Sequence, residues 1–237
     1  MLKGIRIFYD RIRTKKYTED DEGESPITHT KVFHKEYPRF PQFALPELSR
    51  QESEFETLLD YRESHRNFSD VPVKLEDLSK IIGSCRISNP QRQPERRTYP
   101  SGGARFSVEL YYLSYNTEGL EEGAYHYNIT ENTLEQLLKE NLTKVRRELI
   151  SPYLQNPAGT IVFTSVLSRS AIKYGLRAYP YSLIEAGHMG QNILLAATEI
   201  GIGACPVSGF VDDTVIKILD LTEGEIPIYT ISIGRKK

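Results

Sequence analysis

The segment from Tyr181 to Ile200 sets the first constraint on the fold. It is the longest apolar helical run of the 237-residue chain and carries Ile184, Ala186, Ile193, Leu194, Ala196 and Ala197. Glu185, His188, Asn192 and Glu199 recur at intervals of three, four and seven, so the polar side chains form one narrow stripe. A helix that is apolar nearly all round runs through the middle of a domain or is shared with a second subunit. Gly201 and Gly203 end it.

The remaining periodicities place other elements around this helix. A helical pattern begins at Ser53, with Phe55, Leu58 and Leu59 on one face, and a second covers Leu75 to Ser84 with Leu78, Ile81 and Ile82 inward. Val108 to Tyr115 alternates and reads as a strand, followed by a short strand at Gly123 to Tyr127. Leu134 to Ile150 reads as one or two helices. Thr160 to Val166 suits a buried strand, Thr214 to Leu219 a short helix and Pro227 to Ile233 a last strand. No βαβ rhythm repeats, so the fold class is α+β. Residues 1–50 differ from the rest. Charge and proline dominate them, as in Glu19 to Glu24 and Pro38-Arg39-Phe40-Pro41, so they are expected to form an extended arm, and residues 51–237 the folded domain.

Charge and cysteine usage narrow the function classes. A net charge of −2 supplies no general attraction to nucleic acid or anionic membrane. No window approaches a membrane span, and the start lacks the features of a signal peptide. Cys85 and Cys205 stand far apart, a reduced pattern that points to the cytoplasm. The five histidines form no recognised zinc spacing, so no metal site is expected.

Four stretches could carry chemistry. In Arg62-Glu63-Ser64-His65-Arg66 two guanidinium groups converge near a hydroxyl, which suits a phosphate dianion but also a solvated turn. Pro100-Ser101-Gly102-Gly103-Ala104-Arg105 lets backbone approach a flat ligand, though most Gly-Gly pairs are turns. Lys173-Tyr174 lies between Arg169 and Arg177. A lysine among other cations gives up its proton more readily and can serve as a general base. Gly201 to Phe210 could pass its backbone along a ring system or be a plain helix-to-strand connection. It holds no phosphate-loop or dinucleotide fingerprint.

Taken in order, these stretches resemble the nitroreductase superfamily, and within it the SagB-type branch of flavin dehydrogenases that oxidise thiazolines and oxazolines in ribosomal peptides. The resemblance is carried by Arg62 to Phe68, Pro100 to Arg105, Lys173 to Tyr179, Glu185 to Asn192, and Gly201 to Phe210 with Asp212. It covers about residues 51–237. The chain departs from the branch at Ile172, where a bulky aromatic is usual, at Pro180, where arginine is common, and at Ser107, where proline is expected.

The resemblance implies a nitroreductase-like fold: a central, mostly antiparallel sheet flanked by helices, in an intertwined homodimer with FMN. It implies that Arg62, Ser64 and Arg66 hold the ribityl-phosphate end and that Ser101, Gly102 and Gly103 sit on the isoalloxazine. Gln191 and Cys205, Pro206, Val207, Ser208 and Gly209 would line the flavin, and Arg235 would add a phosphate contact. Lys173 and Tyr174 would be the catalytic pair, removing a proton from the azoline while hydride passes to the flavin, which oxygen then reoxidises. A cyclodehydratase and a precursor peptide are the implied partners. Two other readings stay open: an NAD(P)H-dependent nitro or quinone reductase, and a flavin-bearing partner subunit that is inactive alone.

Overall fold

A computed structural model describes residues 2–15, 32, 34–46 and 53–237; Glu19 to Glu24 of the expected arm lie outside the described residues. The frame is a six-stranded sheet of β4 (Val108–Ser114), β6 (Gly123–Asn128), β7 (Thr133–Leu138), β8 (Gly159–Val166), β9 (Ile202–Val207) and β10 (Glu225–Arg235). Its order is β7-β6-β4-β8-β10-β9, and every neighbouring pair is antiparallel. β8 lies near the centre and is buried almost throughout, as its continuous apolar run requires. Three short strands, β1 (Val73–Lys74), β2 (Ile87–Asn89) and β3 (Arg96–Arg97), lie outside it with β5 (Thr117–Glu118). β1 pairs in parallel with β5, and β2 with β3 forms a hairpin.

Among the described residues seven helices accompany the sheet: α1 (Leu2–Ile12), α2 (Glu54–Tyr61), α3 (Leu75–Gly83), α4 (Arg146–Leu149), α5 (Ser168–Tyr174), α6 (Ala178–Glu199) and α7 (Asp212–Ile218). α6 is the long apolar helix. It buries Ala186, Met189, Ile193, Leu194 and Ala197 in a core shared with Leu78, Ile81 and Ile82 of α3 and with Tyr112, Ile161, Phe163 and Ile231 of the sheet. At about 25 cal/mol per Å2 of apolar surface, side chains of this kind contribute roughly 1.5–3 kcal/mol each. Gly190 lets α6 close onto the sheet, since a Cβ there would come within 2.7 Å of the Tyr229 ring. A second cluster joins Tyr111, Leu113 and Val162 to Leu149 of α4 and Val215 of α7.

Three local expectations are corrected. Residues 133–138 form an edge strand rather than a helix, because pairing with β6 overrides a leucine spacing that fits either period. Residues 202–207 form β9 rather than a loop. As an edge strand bonded only to β10, β9 tolerates Pro206. Residues 2–12 form a helix that buries Ile5 and Tyr9 against Leu167, Ala171, Ala178 and Ile226, whereas residues 34–46 have no regular element beyond a turn. The expected helix from Ser53 is present as α2, capped by the Ser53 hydroxyl, which accepts from Glu56 N, and it buries no residue: Phe55 is 61% exposed and Leu59 44%.

Candidate active site

The candidate residues gather in two places. The first is built by backbone pairing. The chain leaving α2 runs beside β9 and the end of β10: His65 N donates to Ala204 O at 2.9 Å, Ser69 N to Arg235 O at 2.8 Å, and Gln155 N to Arg66 O at 2.9 Å. Two glycines permit this approach, since a Cβ on Gly203 would lie 3.0 Å from the His65 ring and one on Gly234 2.8 Å from the Phe68 ring. The arrangement brings the stretch from Ser64 to Arg66 beside Cys205, with Arg235 at the next pairing and Arg62 at the end of α2 where the stretch begins. Among the described residues the Arg66 guanidinium donates to the Ser64 carbonyl alone, at 3.4 Å. Burial pushes the Cys205 thiol up, and the Arg66 charge opposes this. Arg235 is already engaged, its Nη2 on Asp77 Oδ2 at 2.7 Å. Pro206 and Val207 are half-buried on β9, and Ser208 and Gly209 are exposed after it.

The second place is built by side chains. Gly103 has a φ of +62°, a backbone region that only glycine enters freely. A Cβ there would overlap the Tyr174 hydroxyl and stand 3.2 Å from Lys173 Nζ. Lys173 and Tyr174 occupy the last turn of α5, which Gly175 ends with a φ of +58°. Lys173 Nζ lies 5.3 Å from the Tyr174 ring centre, and Tyr174 meets Tyr181 edge-on at 5.0 Å. Tyr181 in turn packs 3.5 Å from the Cβ position of Gly102. Two stretches some seventy residues apart in the chain therefore form one surface. The loop between them is held in an unfavourable form, because Ala104 and Phe106 also have positive φ, at 52° and 45°.

Glu185 holds this loop from beneath and received no role of its own in the sequence reading. It is 2% exposed. Its carboxylate accepts from Ser101 Oγ at 2.6 Å, Ser107 Oγ at 3.3 Å and Val108 N at 3.2 Å. Ser101 Oγ also accepts from Phe106 N at 2.9 Å, and Ser182 links Ser107 to Ser165. Burial raises the Glu185 carboxyl above its ordinary range, and the bonds from Ser101, Val108 and Ser107 work against that rise. The available signal was a carboxylate in a helix otherwise fit for a core, where an acid is found only if paired. Ser107, the departure from proline, supplies one of these bonds. From above, Arg169 Nη1 donates to Phe106 O at 3.0 Å and pairs with Glu109. Glu109 also binds His126 Nε2 at 3.2 Å, whose Nδ1 meets Glu135 at 2.8 Å.

Among the described residues no hydrogen bond or ion pair joins the two places. Gln191 is exposed on α6, as are Leu183, Ile184 and His188, and Ile184 and His188 line a small cavity with Ser101 and Gly102. The two places are chemically suited to different ends of one ligand: uncommitted guanidinium groups to a phosphate, and a tight glycine cradle facing an amine and a phenol to a flat ring.

This α+β sheet, with its long central helix and glycine loop against a lysine–tyrosine pair, defines an oxidoreductase fold, and the chain belongs to the nitroreductase family, whose model matches residues 59–235. The chain is 30% identical to MJ1384 of Methanocaldococcus jannaschii, a protein named as a nitroreductase, across 82% of this chain and 96% of that one. It is 32% identical to the microcin B17-processing protein McbC of Escherichia coli across 66% of this chain, a match that spans 60% of McbC's own length. Among solved structures, a chain of the E. coli microcin synthetase McbBCD complex with truncated pro-MccB17 bound superposes with a TM-score of 0.83 at 25% identity, covering 100% of this chain and 93% of that one. Among the described residues no helix is long and apolar enough to cross a membrane.

Proposed function

We propose that this protein is an FMN-dependent dehydrogenase that oxidises thiazoline or oxazoline rings of a ribosomal peptide to azoles. The observation that carries the reading is the convergence of the Tyr174 hydroxyl and Lys173 Nζ on Gly103, a glycine whose missing side chain lets the phenol and the amine close onto the backbone of the loop. Similarity to McbC, a peptide-processing protein by name, supports a peptide substrate. Arg62, Ser64 and Arg66 would hold the FMN phosphate, with Arg235 joining them by exchanging Asp77 for it. Ser101, Gly102 and Gly103 would back the ring system, and Gln191 with Cys205 to Gly209 would complete the enclosure. Bound FMN supplies the hydride acceptor. Lys173 or Tyr174 takes the proton from the azoline carbon, and the Glu185 and Arg169 bonds keep the loop in register with that pair. Residues 51–237 would form the FMN domain, with the helix Leu2–Ile12 packed onto it, acting beside a cyclodehydratase and a precursor peptide.

A homodimer completes the proposal. Phe55 and Leu59 on α2, and Leu183 and Ile184 on α6, face outward from helices that pack on one another. A second copy covering this patch would also bring the two groups of site residues, separate within one chain, around one flavin. Light scattering should give a dimer at micromolar concentration. A Phe55→Asp/Ile184→Asp variant should be monomeric and should lose FMN; a wild-type monomer that retains FMN would contradict this arrangement.

One assay panel tests the reaction. With FMN loaded, Lys173→Ala should lower azoline oxidation by about 10² to 10⁴ while flavin content is retained, and Tyr174→Phe should lose much of the rate without loss of fold. Oxidation is followed as the loss of two hydrogens by mass spectrometry. The near-complete match to MJ1384 favours a second reading, an NAD(P)H-dependent nitro or quinone reductase. In that case both variants keep most of their turnover with NADPH and a quinone. Activity in neither assay by the wild type alone would point to a partner subunit.

A further inference from the structure

Residues 86–105 hold five arginines, Arg86, Arg92, Arg96, Arg97 and Arg105, against a single acid, Glu95, in a chain whose net charge is −2. The structure folds this stretch as the β2-β3 hairpin and fastens it firmly. Thr98 Oγ1 donates to Ser84 O at 2.6 Å, and Asn192 Nδ2 of α6 donates to Thr98 O at 3.2 Å. The one acid is committed: Glu95 Oε1 pairs with Arg97 through Nε at 2.7 Å and Nη2 at 2.6 Å. Arg97 also donates from Nη1 to the Tyr99 hydroxyl at 2.9 Å, and its guanidinium lies 4.2 Å above the Phe106 ring. Arg97 is thus a fixed part of the scaffold, locked onto the same Phe106 that Arg169 and Ser101 hold.

Arg92 and Arg96 differ. They rim a cavity of about 410 Å3 floored by Tyr99, Pro100, Ala104 and Phe106, and among the described residues neither forms an ion pair. The cavity reaches Ser101, which also lines a smaller one of about 230 Å3 with Gly102, Tyr181 and His188. A continuous surface therefore runs from the hairpin to the Gly102–Gly103 cradle. An apolar floor beneath two uncommitted guanidinium groups suits a ligand part with a flat or aliphatic body and an anionic end. Glu95 lines the same cavity but is paired with Arg97, so the charges of Arg92 and Arg96 also attract such a ligand before contact.

We propose that this cavity binds an anionic group of the ligand that reacts at Lys173–Tyr174, and that in the peptide substrate this group is the carboxylate of an acidic residue flanking the azoline. The proposal rests on the dehydrogenase reading for its choice of peptide. A nucleotide phosphate is the other source of the same chemistry, and the test separates the two.

FMN-loaded wild type and an Arg92→Glu/Arg96→Glu variant are compared by fluorescence anisotropy with two labelled thiazoline peptides of equal length, one flanked by glutamates and one by lysines. The wild type should bind the acidic peptide about ten-fold tighter, and the variant should reverse the order, with flavin content unchanged in both. In a parallel arm, the NADPH-to-NADH ratio of KM is measured with a quinone. A change in that ratio in the variant, without a peptide preference, would keep the anion site and assign it to phosphate. Equal binding of both peptides by the wild type, together with an unchanged nucleotide ratio, would overturn the proposal. Binding is read without turnover, so the two failures stay distinct. An acidic preference in a protein that oxidises neither peptide removes the dehydrogenase reading and keeps the site; oxidation with no charge preference and an unchanged nucleotide ratio does the reverse.

Discussion

Around Glu185 the carboxylate and the hydroxyls of Ser101, Ser107 and Ser182 all have partners within the chain, whereas around Arg66 the backbone is paired and the guanidinium groups are left with little. The contrast separates two tasks. A ring and a proton must be held to within fractions of an ångström, so the loop from Ser101 to Phe106 is fixed from below by Glu185 and from above by Arg169. In the proposed function an anion would supply its own strong partner, so Arg62 and Arg66 would need only to be delivered to the right place with their charge unspent. On that reading the first region is organised before a ligand arrives, and the second would gain its order with the ligand.

Substitutions that strike the preorganised side should cost the most. Glu185→Leu leaves two hydroxyls and the Val108 N–H without their acceptor in a buried setting, and should lower stability by about 3 kcal/mol or more, read from urea unfolding. Glu185→Gln, which keeps an acceptor oxygen, should recover much of that loss. Equal stability of the leucine variant and wild type would mean the network does not fix the loop. On the other side, Arg62→Ala and Arg66→Ala should leave unfolding nearly unchanged while each weakens FMN binding by about ten- to a hundred-fold. Competitive dialysis decides this, and a stability loss as large as that of Glu185→Leu would erase the contrast.

The smallest effect concerns the outer brace of the loop. The hydrogen bond to Glu109 raises the His126 imidazole above 6.5 against the opposing effect of burial, with Glu135 adding to the rise. Burial pushes the Glu109 carboxyl up, but His126 and Arg169 outweigh it and hold the group below 4.5. A raised imidazole stabilises the fold fully below its unfolded value of 6.5, and this is lost as pH rises through the folded value. A lowered carboxyl stabilises above 4.5, and this is lost as pH falls through the folded value. His126→Gln should therefore cost about 1 kcal/mol between those two pH values, with the deficit shrinking as the pH is raised above 6.5. A deficit that does not vary with pH would mean that packing, and not charge, links His126 to the brace.

Much of this could be read from the chain. The helix Ala178–Glu199, the strand Gly159–Val166 and the helix Leu75–Gly83 follow from long, unambiguous patterns of burial. The pairing of a lysine and tyrosine with flanking arginines, and the two-arginine turn, were visible as residue types at close spacing. What could not be read depended on partners distant in sequence. Thr133–Leu138 is a strand because β6 offers it a free edge, and the helix Leu2–Ile12 is secured by Tyr9, whose hydroxyl bonds Asp212 at 2.7 Å. The role of Glu185 depends on hydroxyls some eighty positions earlier.

The sequence by itself determined which segments must be buried, which glycines free the backbone and which cations stand close together, because these are set by local periodicity and residue type. Only the tertiary structure decided that Gly103 faces Lys173 and Tyr174, that Glu185 lies beneath Ser101 and that Arg169 holds Phe106 from above. Such contacts arise when a sheet brings distant segments together, and no spacing along the chain encodes which pairs will meet.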